Sequence, residues 1–189
     1  MRAASLDSRQ VSGEHHPPSK SHFEMLKSLA MGTLMLYNRG NILERRKVIM
    51  VKVLIGHKGA GKTKRMIDLA NEKVENSNGS VIFINKNHRL MYDLKYRIRV
   101  VCMDDFEHVT NCDEYIGFLY GIISSDHDIE VIFIDSILKH ADFSLGDLPE
   151  FLSRLHAISK NYGMDFVVSL SAEKEEMIGV DFNEFEILN

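Results

Sequence analysis

The chain carries the sequence Gly56-His57-Lys58-Gly59-Ala60-Gly61-Lys62-Thr63, which has the form G-x-x-x-x-G-K-T. A loop of this form wraps its backbone N–H groups around the phosphates of a nucleotide. Its lysine, here Lys62, reaches the β- and γ-phosphates, and the hydroxyl of Thr63 helps to hold Mg²⁺. The motif therefore predicts a site for a nucleoside triphosphate with Mg²⁺.

The residues on either side of this loop have the patterns that such a site requires. Residues 51–55 form a β-branched, apolar run that is typical of a buried strand. After the loop, apolar residues recur at helical spacing at Met66, Ile67, Leu69, Ala70 and Val74. A strand, a glycine loop and a helix in this order aim the positive end of the helix dipole at the phosphates. The residues expected to hold the nucleotide are Gly56, His57, Lys58, Gly59, Ala60, Gly61, Lys62, Thr63 and Lys64.

Four further apolar runs predict the other strands of a sheet. They cover residues 81–84, 99–103, 130–135 and 166–170, and a weaker alternation over 181–188 predicts an edge strand. Amphipathic helical patterns separate them, around residues 115–123 and 148–158. Near-continuous apolar strands that alternate with helices indicate a parallel sheet covered on both faces. The predicted fold class is therefore α/β.

Asp135 ends one of these runs, directly after four apolar residues. Parallel sheets bind their ligands at the carboxyl ends of the strands, so Asp135 is expected to face the glycine loop. We predict that its carboxylate holds the Mg²⁺ shell opposite Thr63. The alternative is that Asp135 only caps the turn that follows the strand.

Composition narrows the class of protein. The 189 residues have room for one α/β domain with a core, and their net charge of −4 argues against strong non-specific binding of nucleic acid, without excluding a local contact. The two cysteines, Cys102 and Cys112, have a spacing that fits no metal motif and suit a reducing cytoplasm. No metal constellation is evident among the nine histidines. No apolar stretch approaches the ~20 residues that a membrane span needs.

Residues 1–49 do not share these patterns, and we predict a poorly ordered N-terminal extension followed by a nucleotide-binding domain over residues 50–189. Glu44-Arg45-Arg46 can be encoded by a purine-rich run of the kind found in bacterial ribosome-binding sites, three codons before Met50. Our hypothesis is that the native start is Met50. The alternative is a genuine helix over residues 23–37 that lies on the domain or on a membrane surface.

Several segments resemble the RecA-like ATPases of the P-loop NTPase superfamily. Residues 131–136 look like the Walker B strand of that family, in which aspartate is commonly followed by serine. Residues 83–88 are similar to its second strand. Ser169 and Ser171 fall where the family keeps a polar sensor, at the end of the strand beside the glycine loop.

The resemblance extends over residues 50–171 and implies a three-layer P-loop NTPase fold. The sheet would be mostly parallel and RecA-like, with helices on both faces. The ligand implied by the resemblance is ATP, and the metal is Mg²⁺. In length and layout the chain also resembles small stand-alone ATP-binding proteins of bacteria, sometimes called PilT-like.

One position departs from the family pattern. The resemblance places the catalytic glutamate at Asn87, and Ser136 fills the other common site for that residue. An amide cannot accept a proton from water at neutral pH, whereas a carboxylate can. Asp104 and Asp105 could substitute, but in a RecA-like strand order they follow an edge strand, away from the phosphates. The expected catalytic residues are Lys62 and Asn87, which takes the position of the base. Because Asn87 cannot act as a base, we expect slow hydrolysis of ATP.

The sequence is compatible with three functions. The first is a slow ATPase or nucleotide-dependent switch that acts with a partner. The second is a small-molecule kinase or nucleotidyl-type transferase, and the third is an assembly module that binds ATP without hydrolysing it. A basic stretch over residues 86–99 and an acidic tail from Glu173 onward would suit contacts with another protein or a second copy of the chain. The basic stretch could also contact nucleic acid, with Tyr92 and Tyr96 as stacking aromatics, although these two residues could equally pack in the core.

Removal of residues 1–49 is expected to leave the fold intact, because no residue before the strand at Val51 supplies a periodic apolar face. The measurement is thermal unfolding of a chain that starts at Met50, compared with the full chain. A destabilisation of more than about 2 kcal/mol would mean that the segment packs on the domain.

Overall fold

A six-stranded parallel sheet organises residues 51–188, the part of the chain that the computed structural model describes. These residues all belong to one compact unit. The expectations for residues 1–49, whether an extension outside the native protein or a helix over 23–37, lie outside the described residues. None of the helices between residues 51 and 188 combines the length and apolarity needed to cross a membrane.

Strands and helices alternate along the described chain. The strands are β1 Val51–Ile55, β2 Ser80–Asn85, β3 Ile98–Cys102, β4 Ile129–Ile134, β5 Asp165–Leu170 and β6 Glu186–Leu188. The helices are α1 Lys62–Glu75, α2 Cys112–Ser125 and α3 Leu148–Tyr162, and short 3₁₀ turns occupy several connections. Of the alternating tail predicted as an edge strand, only the last three residues form one.

The strands follow the order β3-β2-β4-β5-β1-β6, and each neighbouring pair is parallel. Strand β5 therefore lies between β1, which leads into the glycine loop, and β4, which leads into Asp135. The register pairs Leu54 with Ser169 on one side of β5 and Ile134 with Val168 on the other. Strand β3 lies at one edge of the sheet, as expected.

Helices cover both faces of the sheet, which confirms the predicted three layers. On one face α1 buries Met66, Ala70 and Val74 against alternate strand residues such as Phe83 and Phe133. On the other face, α2 and α3 pack on the intervening strand residues. The buried side chains of α1 are four residues apart, so a single stripe of the helix meets the sheet. Burial on both faces explains why the strands are almost continuously apolar.

Glu130, near the start of β4, fastens the turn between α1 and β2. Its carboxylate accepts hydrogen bonds from Ser77 Oγ at 2.6 Å, Gly79 N at 2.9 Å and Lys73 Nζ at 3.0 Å. Gly79 permits the close approach of its backbone to that of Asp128, because a Cβ on residue 79 would lie 2.1 Å from the carbonyl oxygen of Asp128. Burial raises the pKa of Glu130, but the hydrogen bonds outweigh it and bring the pKa to about 2.

Glu130→Gln is expected to destabilise the protein by roughly 2–3 kcal/mol at pH 7, since the folded state favours the ionised carboxylate. The folded pKa lies below the ordinary value of 4.5, so this stabilisation is complete above about pH 4.5 and is lost as the pH falls toward 2. Urea unfolding at pH 7 and pH 3 measures both effects.

The control is Glu75→Gln, which removes the partner of Lys95 on the surface, where the Glu75 side chain is 62% exposed. An exposed pair of this kind contributes about 0–1 kcal/mol. Equal unfolding midpoints for Glu130→Gln and Glu75→Gln at pH 7 would contradict the role assigned to Glu130.

Candidate functional site

The glycine loop joins the end of β1 to the start of α1. Gly59 and Gly61 have φ angles of +90° and +79°, which side chains with a Cβ rarely adopt. These glycines let the backbone turn tightly into the first turn of α1, whose free N–H groups form an anion site. His57 and Lys58, at the variable positions of the loop, are exposed as predicted.

Lys62 lies under this loop, with only 8% of its surface exposed. Its Nζ donates hydrogen bonds to the carbonyl oxygens of Gly56 at 2.6 Å and His57 at 2.7 Å. Burial lowers the pKa of Lys62, and the negative charge of Asp135 opposes that shift. The ammonium group is therefore held inside the loop by carbonyl oxygens, where phosphate oxygens could replace them as acceptors.

Thr63 meets Asp135 across the carboxyl edge of the sheet. The Thr63 hydroxyl donates to the two carboxylate oxygens of Asp135, at 3.0 and 3.2 Å. The two residues are 72 positions apart in the chain, and β5 separates the strands that lead to them. A hydroxyl and a carboxylate in contact are suitable ligands for Mg²⁺, directly or through water. The structure thus brings together the two residues that the sequence predicted as metal ligands.

Ser169, near the end of β5, holds the carboxylate of Asp135 in place. Its hydroxyl donates to Asp135 Oδ1 at 2.7 Å and accepts a hydrogen bond from the Ser136 backbone N–H at 2.7 Å. Ser169 is fully buried, so water cannot replace these bonds. Ser136 has a φ of +57° and is the one non-glycine residue with a positive φ between residues 51 and 188. Ser171, the other predicted sensor, is half-buried beyond the strand.

Asn87 lies two residues beyond β2, on the same edge of the sheet. Its side-chain oxygen accepts a hydrogen bond from Arg89 N at 3.1 Å and caps the short turn His88–Leu90. The amide thus has a local structural partner as well as its place near the end of the second strand. The two carboxylates considered as substitutes are in ion pairs on this edge, Asp104 with Lys86 at 3.2 Å and Asp105 with His88 at 3.0 Å.

Two buried polar residues at this edge escaped the sequence analysis. Asn85 ends β2 and is 1% exposed; its Nδ2 donates to the carbonyl oxygen of Asn87 at 2.5 Å, while its Oδ1 has no partner among the described residues. A polar residue that ends an apolar run was the signal that could have identified it. His140 follows the turn after Asp135, and its Nδ1 lies 2.9 Å from the hydroxyl of buried Tyr115. Burial lowers the pKa of His140 to about 4, so its imidazole is neutral at pH 7.

A cavity of about 220 Å³ opens among the segments that follow β2, β3 and β4. Its polar lining residues are Lys86, Glu107, Thr110, Lys139, His140 and Asp142. The pKa of Lys62 is lowered mainly by burial, and the positive charge of Lys139, which lines the cavity, adds to that shift.

The basic stretch over residues 86–99 divides into structural and exposed parts. Arg97 donates to the carbonyl oxygens of Val74 at 3.1 Å and Ser77 at 3.3 Å, so it closes the C-terminal end of α1. Lys95 is bonded to Glu75 of the same helix. Tyr92 and Tyr96 are 90% and 96% exposed, and the alternative that they pack in the core is wrong.

Comparisons with known proteins agree with this architecture. A family model described as RNA helicase matches residues 52–131, which is less than half of the chain and stops short of Asp135. Among curated proteins there is no match. Forty-four chains of solved structures match. One is a KaiC-like protein of the hyperthermophilic archaeon Pyrococcus horikoshii OT3, with 17% identity and a TM-score of 0.52. The match covers 69% of this chain and 65% of that one, and at this identity it shows the fold alone.

Lys62→Ala is expected to weaken Mg-ATP binding at least ~10-fold without loss of the fold, because hydrogen bonds to a charged group contribute roughly 1.5–3 kcal/mol. Asp135→Asn is expected to weaken the dependence of binding on Mg²⁺ more than binding itself. Calorimetric titrations with ATP, with and without Mg²⁺, measure both. Lys160→Ala, at an exposed position of α3 outside the loop, is the control and should bind normally. Unchanged titrations for Lys62→Ala and Asp135→Asn would contradict the assignment of the site.

Proposed function

We propose that the protein, whose residues 51–188 have the fold of RecA-like P-loop NTPases, binds ATP with Mg²⁺ and acts as a slow ATPase or nucleotide-dependent switch. The observation that carries the proposal is the contact of the Thr63 hydroxyl with the carboxylate of Asp135 beside a loop that encloses Lys62. Two segments that are far apart in the chain, the loop over residues 56–63 and the end of β4 at Asp135, supply these groups, as binding of a Mg-triphosphate requires.

Each part of the site has a role in this proposal. The backbone N–H groups of the loop and of the first turn of α1 bind phosphate oxygens. Lys62 exchanges the carbonyl oxygens of Gly56 and His57 for the β- and γ-phosphates. Thr63 and, through water, Asp135 hold Mg²⁺, which offsets the charge of the phosphates. Ser169 keeps the carboxylate of Asp135 oriented, so that little rearrangement accompanies binding.

Slow hydrolysis follows from the side chains at the carboxyl end of β2. Asn87 and the buried Asn85 are both amides, and neither can remove a proton from the attacking water. Asp104 and Asp105 carry carboxylates, but each is already paired with a basic side chain and follows the edge strand β3. The nucleotide would then stay bound long enough for its state to be read by a partner.

A second candidate function is phosphoryl or nucleotidyl transfer to a small acceptor. The observation in its favour is the 220 Å³ cavity at the same edge, whose lysines Lys86 and Lys139 could bind an anionic group. A third candidate, the assembly module that binds ATP without hydrolysis, uses the same nucleotide site. Analysis of the products separates the three: free phosphate for the first, a phosphorylated or nucleotidylated acceptor for the second, and neither for the third.

We favour a protein partner or a second copy of the chain over nucleic acid. The matching family model is named for RNA helicases, but the net charge of this chain is −4, and Lys95 and Arg97 of the basic stretch are bonded to α1. The exposed Tyr92 and Tyr96 leave apolar surface available to a partner. The two free cysteines, Cys102 and Cys112, suit a cytoplasmic location.

Asn87→Glu is expected to raise ATP hydrolysis by ~10-fold or more over the native protein, since a positioned general base contributes roughly 10²–10⁴-fold and a grafted one achieves part of that. The native rate should lie well below the 1–10³ s⁻¹ of typical enzymes. Single-turnover hydrolysis with Mg-ATP measures both rates.

Asn87→Gln is the matched control, because glutamine has the length of glutamate without its basicity, and it should hydrolyse no faster than the native protein. Fast turnover by the native protein would mean that another carboxylate is the base, with Asp104 and Asp105 the first to replace. If Asn87→Glu binds ATP but hydrolyses it as slowly as the native protein, the position assigned to the base is contradicted.

A further inference from the structure

Three side chains of different chemistry meet where β2 and β3 leave the sheet. They are His88, Cys102 and Asp105, and each offers one ligand atom that lies within 4.8 Å of the other two. His88 Nε2 is 3.0 Å from Asp105 Oδ1. Cys102 is buried, while the other two side chains are more than half exposed, so the cluster opens to solvent on one side.

The backbone holds these three residues together. Cys102 is the last residue of β3 and pairs in register with Asn85, the last residue of β2. Just beyond, the N–H of Asp104 donates to the carbonyl oxygen of Lys86 at 3.0 Å, which ties the two exit turns to each other. Among residues 51–188 the Cys102 thiol has one hydrogen-bond partner, that same carbonyl oxygen at 3.4 Å, and the bond is weak. The pairing of β2 with β3 thus brings the three ligand atoms close together, and the Cys102 sulfur remains available to bind a metal ion.

We propose that His88, Cys102 and Asp105 bind one divalent transition-metal ion, for which Zn²⁺ is the best match. Imidazole nitrogen, thiolate and carboxylate are the three ligand types that Zn²⁺ takes in proteins, at about 2.0–2.3 Å. In a tetrahedral site such bonds put the ligand atoms roughly 3.3–3.8 Å apart, so modest side-chain rotations complete the geometry. The fourth position is left to water, and the thiolate and carboxylate neutralise the ion.

This site is chemically distinct from the one at Thr63 and Asp135. Mg²⁺ prefers oxygen ligands in octahedral geometry, whereas a thiolate and an imidazole select zinc-like ions. The ion joins the turn that carries Asn87 to the exit of β3, and so it stiffens the edge of the sheet independently of nucleotide. The spacing of the two cysteines in the sequence does not indicate this site. Its ligands come from two separate turns and include only one cysteine.

The test is a titration of the full chain with Co²⁺, a spectroscopic substitute for Zn²⁺. The buffer contains a reductant that has no thiol group. Binding through Cys102 is expected to give a sulfur-to-cobalt charge-transfer band in the near ultraviolet at one equivalent, displaced by one equivalent of Zn²⁺. This band reports sulfur ligation only, so the other eight histidines of the chain do not contribute to it. Cys102→Ser should abolish the band, and the matched control Cys112→Ser should retain it.

The exposed ligands provide variants that do not disturb the core. His88→Ala and Asp105→Asn should each weaken Co²⁺ and Zn²⁺ binding at least ~10-fold, and Zn²⁺ should raise the thermal midpoint of the native protein but not of Cys102→Ser. The absence of a charge-transfer band in the native protein, or its loss in Cys112→Ser, would overturn the proposal. If Cys102→Ser fails to fold by circular dichroism, unchanged metal affinity in both His88→Ala and Asp105→Asn would overturn it equally.

Discussion

The carboxylate of Asp135 receives hydrogen bonds from Thr63 at the start of α1 and from Ser169 near the end of β5. Strands β1, β5 and β4 all end at this point, and the group that joins them is buried at 6% exposure. A charge with so little contact with water must be surrounded by donors, or its burial would be costly. The arrangement therefore ties the ends of three strands to one buried carboxylate, at the place where we propose that a cation binds.

Strand β4 carries two carboxylates with different physical roles. Glu130, near its start, has its pKa lowered to about 2 by hydrogen bonds to the turn before β2, and it stabilises the fold. Asp135, just after its end, is held by side chains whose positions suit a metal ion rather than by a permanent basic partner. Glu130 thus lies at the opposite end of the sheet from the site. Substitutions at the site can change binding without loss of the fold.

The carboxyl ends of β2 and β3 form a second polar region, next to the first. Asn85 and Asn87 supply amides where a base would be useful, and His140 is kept neutral by burial beside Tyr115. The region can orient water and anions, but its amides remove no proton from water. The proposed metal-binding cluster of His88, Cys102 and Asp105 lies where β2 and β3 leave the sheet. Its effect would be to reduce the mobility of the segment that contains Asn87.

The sequence alone determined the glycine loop, the apolar strands and the helix that follows the loop, because each depends on residues close together in the chain. Gly59 and Gly61 select a backbone that other residues avoid, and the stripe of Met66, Ala70 and Val74 defines one face of α1. The pairing of Thr63 with Asp135 was predictable only as a consequence of the parallel sheet. Apart from the edge strand β6, which begins five residues later than the predicted segment, strand boundaries differed from expectation by at most a residue, since hydrogen bonds to neighbouring strands decide where a strand ends.

Only the tertiary structure decided which polar residues share an environment. Nothing in the chain near His140 indicates that it is buried, and the partners of His140 and of the half-buried Glu130 lie in other segments. The same holds for Tyr92 and Tyr96, whose exposure depends on how the connection between β2 and β3 packs. Local sequence sets the backbone and the apolar faces, whereas burial, pKa and ligand geometry arise from distances between segments that are far apart in the chain.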